Sequence, residues 1–265
     1  MYLKSYFPLE FITAVINNFG GYYHSWVYFN EAQILGADLQ LPCVNQSRYK
    51  TRLIGKTIYV GLIHVQGLER KLVFELVKSR NDHGPYEDIV DFVGRVHVGI
   101  EQLVLLIRVG AFRFMGKTKA ELLWEVHMLL GKKQPQVQLE SLFRTSPQNY
   151  SLPNFTHVNI EDAYDEIELI GFPITLLQTH YRGEIKSPDL SQYLGQKVRM
   201  LGQLVTIKYV KTINHEYMNV GTFLDFEGRF FDTVHFPKSL QYYPFRGDGV
   251  YLVLGKVVQE FGFAS

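Results

Sequence analysis

The hydrophobic period of this 265-residue chain changes once, near residue 195, and no fold built from one kind of element accommodates both halves. Before that point apolar residues recur at helical spacing. "LEFITAVINN", after Pro8 as a first-turn residue, aligns Leu9, Ile12 and Ile16. "LERKLVFELVKSR" puts Leu68, Leu72 and Leu76 on one stripe and stops at "NDHGP". "EDIVDFV" and "EQLVLLIRV" repeat the pattern, and "TKAELLWEVHMLL" opens with Thr118 and Glu121 in capping-box spacing. Residues 1–133 therefore read as helical. Beyond 195 the period is 2. "KVRMLGQLVTIKYV" places Val198, Met200 and Leu204 on one face, then switches to Val205, Ile207 and Tyr209, a phase slip that predicts a bulge beside Gly202. "EYMNVGTFLDFEGRFFDTVHF" alternates and turns at Glu227-Gly228. "KSLQYYPF" reads as one helical turn before a further strand in "GVYLVLGKVVQEFG". Short strands with one central bulge predict a small barrel or sandwich. Between the halves lies a proline-flanked linker, then an acidic amphipathic helix in "NIEDAYDEIELIG".

Charge is unevenly spread behind a formal net charge of +1. Residues 48–133 carry 15 lysines and arginines against 9 acids, whereas residues 134–170 carry Arg144 against six acids. The basic quarter points to a polyanion partner, although solvated helix faces often carry such a surplus. Cys43 is the only cysteine, which excludes an intrachain disulfide and fits a reducing compartment. No signal peptide is legible after Met1, and no apolar run approaches the ~20 residues of a membrane span. A cytoplasmic location without membrane contact is expected.

Two stretches of the basic quarter share one form. In 58–77 two short helices meet at Gly67-Leu68; in 101–123 a helix runs into Val109-Gly110-Ala111 and the next opens at Lys117, Thr118 and Lys119. A glycine turn followed by a helix N-terminus can present backbone N–H groups to a phosphate. An ordinary helical hairpin would use the same glycine only to turn. Two such hairpins in tandem on the basic quarter raise the weight of the first reading. "GKT" at 116–118 is not a phosphate loop: five residues rather than four separate Gly110 from Gly116, and a helix precedes it. The nine histidines never fall at metal-ligand spacing with each other or with Cys43. Asp225 and Asp232, the nearest approach to a paired-carboxylate site, read as turn residues.

Several segments resemble one family, the C-terminal part of the bacterial DNA polymerase III alpha subunit, with a lean towards its error-prone relative. "YLKSYFPLEFITAVI" looks like the helix that ends the family's fingers, and "NEAQILGADLQLPCVNQS" like the segment after it. "GLIHVQGLE" stands at the family's first hairpin, "LVLLIRVGAF" matches the second, and "ELIGFPIT" leads into its OB-fold. The stretch from "EGRFFDTVHF" to "EFGF" is the most specific. Glu69 departs from the pattern by replacing a hairpin glycine with a carboxylate.

This resemblance implies an all-α part with tandem helix-hairpin-helix motifs followed by an OB-fold-like small β-barrel. The domains would be 1–50, the helical end of the fingers; 51–131, the hairpins; 132–158, a linker; and 159–265, a connecting helix and a barrel expected to be incomplete. Gly67, Val109, Gly110, Ala111, Lys117, Thr118 and Lys119 would meet duplex phosphates. Lys208, Lys211, His215, Tyr217, Arg229 and Phe231 would meet single-stranded template. The linker peptide "QLESLF" is similar to the family's clamp-binding hexamer, with Gln138, Ser141, Leu142 and Phe143 as anchors on a sliding clamp. Other polymerase subunits would be further partners. The palm, with its magnesium, is expected outside this chain, so no cofactor is expected and polymerisation by the chain alone is not. Alternatives are a free-standing single-stranded nucleic-acid binding protein, or a phosphoryl-transfer enzyme using "GKT".

Overall fold

Pro8, as expected, occupies the first turn of a helix. The computed structural model describes residues 2–19, 24–130, 159–174, 185–213, 215–225, 227–247, 249–260 and 263–265. They divide into two compact units, Met1–Thr175 and Leu176–Ser265.

The first unit begins with α1 (Tyr2–Tyr6), α2 (Pro8–Asn17) and α3 (Ser25–Ile34). It then departs from the all-helical expectation. β1 (Asp38–Gln40), β2 (Arg52–Ile54) and β3 (Thr57–Tyr59) form a small sheet in the order β1-β3-β2, with β1 parallel and β2 antiparallel to β3. Strands of three residues carry too little alternation to be read from sequence. After a 3₁₀ turn at Leu62–His64 come α4 (Arg70–His83), α5 (Ile89–Arg95), α6 (Ile100–Arg108), α7 (Lys119–Leu130) and α8 (Asn159–Ile170). α4 stops where "NDHGP" predicts, with Gly84 at φ 85° after its last residue. The capping box at α7 is present: the Thr118 N–H donates to Glu121 Oε2 at 2.7 Å, and the Glu121 N–H donates to Thr118 Oγ1 at 3.3 Å.

One core serves the whole unit. Ile12, Ile16 and Phe29 from the expected finger helices share it with Leu76, Phe92, Leu103 and Phe112, and with Leu169, Ile170 and Phe172 around the end of α8. The connecting helix, expected with the barrel, packs instead with the hairpins, and the division falls at Thr175.

In the second unit, a 3₁₀ helix at Ser187–Tyr193 precedes β4 (Lys197–Lys211), β5 (Tyr217–Leu224), β6 (Phe230–His235), α9 (Pro237–Tyr242) and β7 (Val250–Lys256). The antiparallel sheet has the order β6-β5-β4-β7, and the fifteen-residue β4 pairs with β7 along its first half and with β5 along its second. β8 (Gln259–Glu260) and β9 (Phe263–Ala264) form a separate ladder. The result is a curled, OB-like half-barrel, with the expected helical turn between its third and fourth strands. The expected bulge falls between Leu204 and Thr206, where Val205 is the extra residue. It lets Leu204 and Ile207 both face the core, which Phe223 and Phe231 fill as a stacked pair 5.4 Å apart. Gly202 is required there, since a Cβ would lie 2.6 Å from Phe231 Cζ.

Candidate nucleic-acid interface

The first hairpin turns at Gly67, whose φ of 76° lies in the left-handed region. Gln102 of α6 holds the turn from outside. Its Nε2 donates to the Gly67 carbonyl at 3.0 Å, and its Oε1 accepts the Glu69 N–H at 2.8 Å. Glu69 sits just before α4 at φ −70°, ψ 128°, an extended conformation open to any residue, so the backbone here does not need the missing glycine. Gly67 and Glu69 are exposed. The first turn of α4 carries Arg70 and Lys71 and no acid. Cations at the positive end of a helix are unfavourable, and an anion there would relieve them.

The second hairpin corrects the expectation in part. Gly110 has φ 78°, and its N–H donates to Ile107 O at 2.9 Å while that of Ala111 donates to Leu106 O at 2.8 Å. The Val109 N–H donates to Leu105 O at 3.0 Å. These bonds close the end of α6 as a Schellman-type cap, so the three amides serve the helix and do not face a phosphate. Val109 and Ala111 are wholly buried in the core. The cations that follow are also engaged. Lys117 Nζ pairs with Glu125 at 2.8 Å, and Lys119 Nζ pairs with Asp162 and Asp165 of α8 at 2.7 and 2.9 Å. Thr118 is spent on the capping box. Arg108, at the end of α6, donates Nε to Asp165 at 2.8 Å and also meets Glu168, which raises its pKa. The acidic helix thus neutralises much of the positive charge that the sequence gives the second hairpin.

Other cations are structural as well. Arg80 donates to the Ser47 carbonyl at 2.9 Å and to that of Val44, Arg113 to that of Pro42 at 2.9 Å, and Arg95 pairs with Asp91 at 2.5 Å. A different set lies at the surface, on or beside β2 and α4: Arg48, Lys50, Lys56, Arg70, Lys71 and Lys78, exposed, and the half-buried Arg52. Sequence reading missed this grouping because its members lie up to thirty positions apart. Tyr49 and Phe74, interleaved with them, were the available signal.

In the half-barrel, alternation sorts the expected residues. Lys211 and Tyr217 are direct cross-strand partners, and Tyr209 lies two residues from Lys211 on the same face. That face continues the core side past Ile207. Tyr209 (68% exposed) and Tyr217 (61%) present their rings to solvent. Tyr209 is the ring that sequence reading left out of the site. Lys208 stands on the opposite face, paired with Val220. His215 is exposed in the β4–β5 turn, with φ 63° and its N–H on Thr212 O. Arg229 is exposed in the next turn, where its N–H and that of Glu227 donate to Asp225 Oδ1. Asp225 is buried and also accepts the Ser187 N–H, so it is a turn residue, as its context predicts. Phe231 is a correction. It is 4% exposed, inside the core, and unavailable to a base.

Gln138, Ser141, Leu142 and Phe143 lie outside the described residues. Among the described residues, no helix is long and apolar enough to cross a membrane, and no group of three or more His, Cys, Asp or Glu side chains could hold a metal ion.

Comparison with known proteins gives this geometry its context. The family model described as "Helix-hairpin-helix motif" matches residues 36–122. A DNA polymerase III subunit alpha of Staphylococcus epidermidis is 29% identical over 272 residues, covering 96% of this chain and 25% of that protein. The corresponding subunit of Treponema pallidum is 30% identical over 125 residues, 46% of this chain and 11% of its own length. An error-prone DNA polymerase of Bdellovibrio bacteriovorus is 29% identical over 133 residues, 48% of this chain and 12% of its own length. The chain spans about a quarter of the length of the relative that covers it most fully. Over most of its length, then, this chain is a homologue of DNA polymerase III alpha subunits.

Proposed function

We propose that the chain is the DNA-binding and clamp-tethering portion of a bacterial DNA polymerase acting in replication or translesion synthesis. The observation that carries this reading is the helix-hairpin-helix match over residues 36–122 within a homologue of polymerase alpha subunits. In this reading the hairpin unit holds duplex phosphates without sequence preference, through the exposed turn at Gly67 and the cations that open α4. The half-barrel meets single-stranded template with Tyr209, Lys211 and Tyr217, its stacked bases contributing ~1–3 kcal/mol each. Leu142 and Phe143 fill an apolar pocket on the sliding clamp while Gln138 bonds at its rim, anchors worth ~2 kcal/mol each. Linked weak contacts reinforce one another through effective concentration. Nucleotide addition and its magnesium belong to a palm outside this chain, in the cytoplasm and beside other polymerase subunits.

The test has two arms. Anisotropy with labelled duplex DNA should show affinity that falls linearly with salt on logarithmic axes, by about 0.9 per phosphate contact; a flat response overturns the duplex contact. Immobilised sliding clamp should retain the wild-type chain and release a Leu142→Ala, Phe143→Ala variant. Equal retention of both overturns the tether and leaves a nucleic-acid binding protein. The purified chain should extend no primer.

A further inference from the structure

The surface that turns these cations outward also holds a cavity. It measures about 400 Å³ and is lined by Arg48, Tyr49, Lys50, Thr51, Arg52, Phe74 and Val77, at the junction of β2 with α4. Its floor is apolar and its rim carries three cations, the two properties that a nucleotide combines. Tyr49 and Phe74 stack with centroids 5.2 Å apart and planes 25° from parallel. Arg70 lies over both rings, 5.2 and 5.3 Å from their centroids, so the pair is held in place before any ligand arrives. Phe74 is nonetheless 50% exposed on a helix whose other outward positions are mainly charged.

The electrostatics point the same way. Among the described residues, no carboxylate forms an ion pair with Arg48, Lys50, Arg52 or Arg70, unlike the cations of the second hairpin. Arg80 stands close behind, its pKa lowered first by burial and further by Arg48 and Arg52. Like charges gathered without counter-charge repel one another, and a polyanion relieves that repulsion. Duplex DNA, its bases stacked inside, could use the cations but would leave the rings idle. An unpaired nucleotide uses both.

We propose that this pocket binds one unpaired nucleotide of a single DNA strand, its base on the Tyr49–Phe74 pair and its flanking phosphates on Arg48, Lys50 and Arg52. The site involves none of the hairpin turns, the half-barrel or the linker peptide. Only the choice of DNA as the strand rests on the function proposed above.

The full chain, a fluorescein-labelled twelve-nucleotide oligothymidylate and a copy carrying 5-iodouracil at one central position provide the test. Photocrosslinking followed by mass spectrometry should place adducts on Tyr49 or Phe74. Phe74→Ala should weaken binding of the single strand by roughly five- to 150-fold, the range expected for a lost base stack. Phe74→Tyr, which keeps a ring, should restore it to within about threefold. Arg48→Gln with Arg52→Gln should lower the salt slope by about 0.7 per cation removed. Duplex affinity of Phe74→Ala should stay within about twofold of wild type. Phe74 is exposed, so thermal melts of its variants should match wild type, and any variant that melts early is replaced by Phe74→Leu. Adducts confined to the half-barrel, or single-strand affinity unchanged in both Phe74→Ala and Phe74→Leu, would overturn the pocket while leaving the duplex and clamp readings standing. Competition by free thymidine monophosphate as effective, per nucleotide, as the oligomer would overturn the assignment to a strand.

Discussion

Gln102 and Gly67 are thirty-five positions apart, yet the Gln102 side chain completes the first hairpin, donating to the Gly67 carbonyl and accepting the N–H two residues on. A turn held this way has its amide direction set by a neighbouring helix. Gln102→Ala removes both bonds and should cost about 1–2 kcal/mol of stability. Denaturant unfolding checks the cost. Duplex affinity should fall more than the melt alone explains, and Gln102→Glu, which cannot donate to the carbonyl, should lie between the two.

Asp165 sits between Arg108 and Lys119 and neutralises part of each. Asp165→Asn returns positive charge to the second hairpin. Duplex affinity at low salt should rise about two- to fivefold and its salt dependence should steepen, while stability falls by about 1 kcal/mol. Anisotropy at several salt concentrations, with a parallel melt, measures both.

His64 lies between Phe19 and Phe29, at 5.3 and 5.2 Å between ring centroids, with its Nε2 3.1 Å from Thr51 Oγ1. Burial lowers its pKa to about 4 from an ordinary 6.5. The unfolded chain therefore binds this proton more readily than the folded one. The stabilising effect is complete above 6.5 and is lost as pH falls from 6.5 towards 4, by roughly 3 kcal/mol in all. Urea unfolding across that window should show the decline, and His64→Gln should flatten it.

Asp225 is a buried carboxylate that accepts N–H groups from Ser187, Glu227 and Arg229. Asp225→Ala strands all three donors and should destabilise the half-barrel by about 3 kcal/mol. Amide exchange in β5 and β6 reports it.

Features that depend on neighbours in sequence were legible before any coordinates. The Thr118–Glu121 capping box, the stop at Gly84 and the slip around Val205 each involve residues a few positions apart. What escaped the sequence depends on distant partners. Three-residue strands exist because each finds another to pair with. Phe231 could be assigned to core or solvent only once Phe223 and Gly202 were seen beside it. Lys119 looked free because the acids that meet it lie more than forty positions away. The pocket beside Phe74 draws on two segments more than twenty positions apart, and neither alone looks like a site.

The extra residue in β4 has a consequence for the far end of that strand. Side chains alternate, so Val205 sets the parity of everything after it. Drawn into regular register instead of bulging, Val205 would leave Leu204 inward but turn Tyr209 and Lys211 to the back of the sheet and bring Lys208 to the front. What the half-barrel mouth presents to solvent therefore hangs on one residue being left out of the ladder, not on the identity of any residue in that mouth.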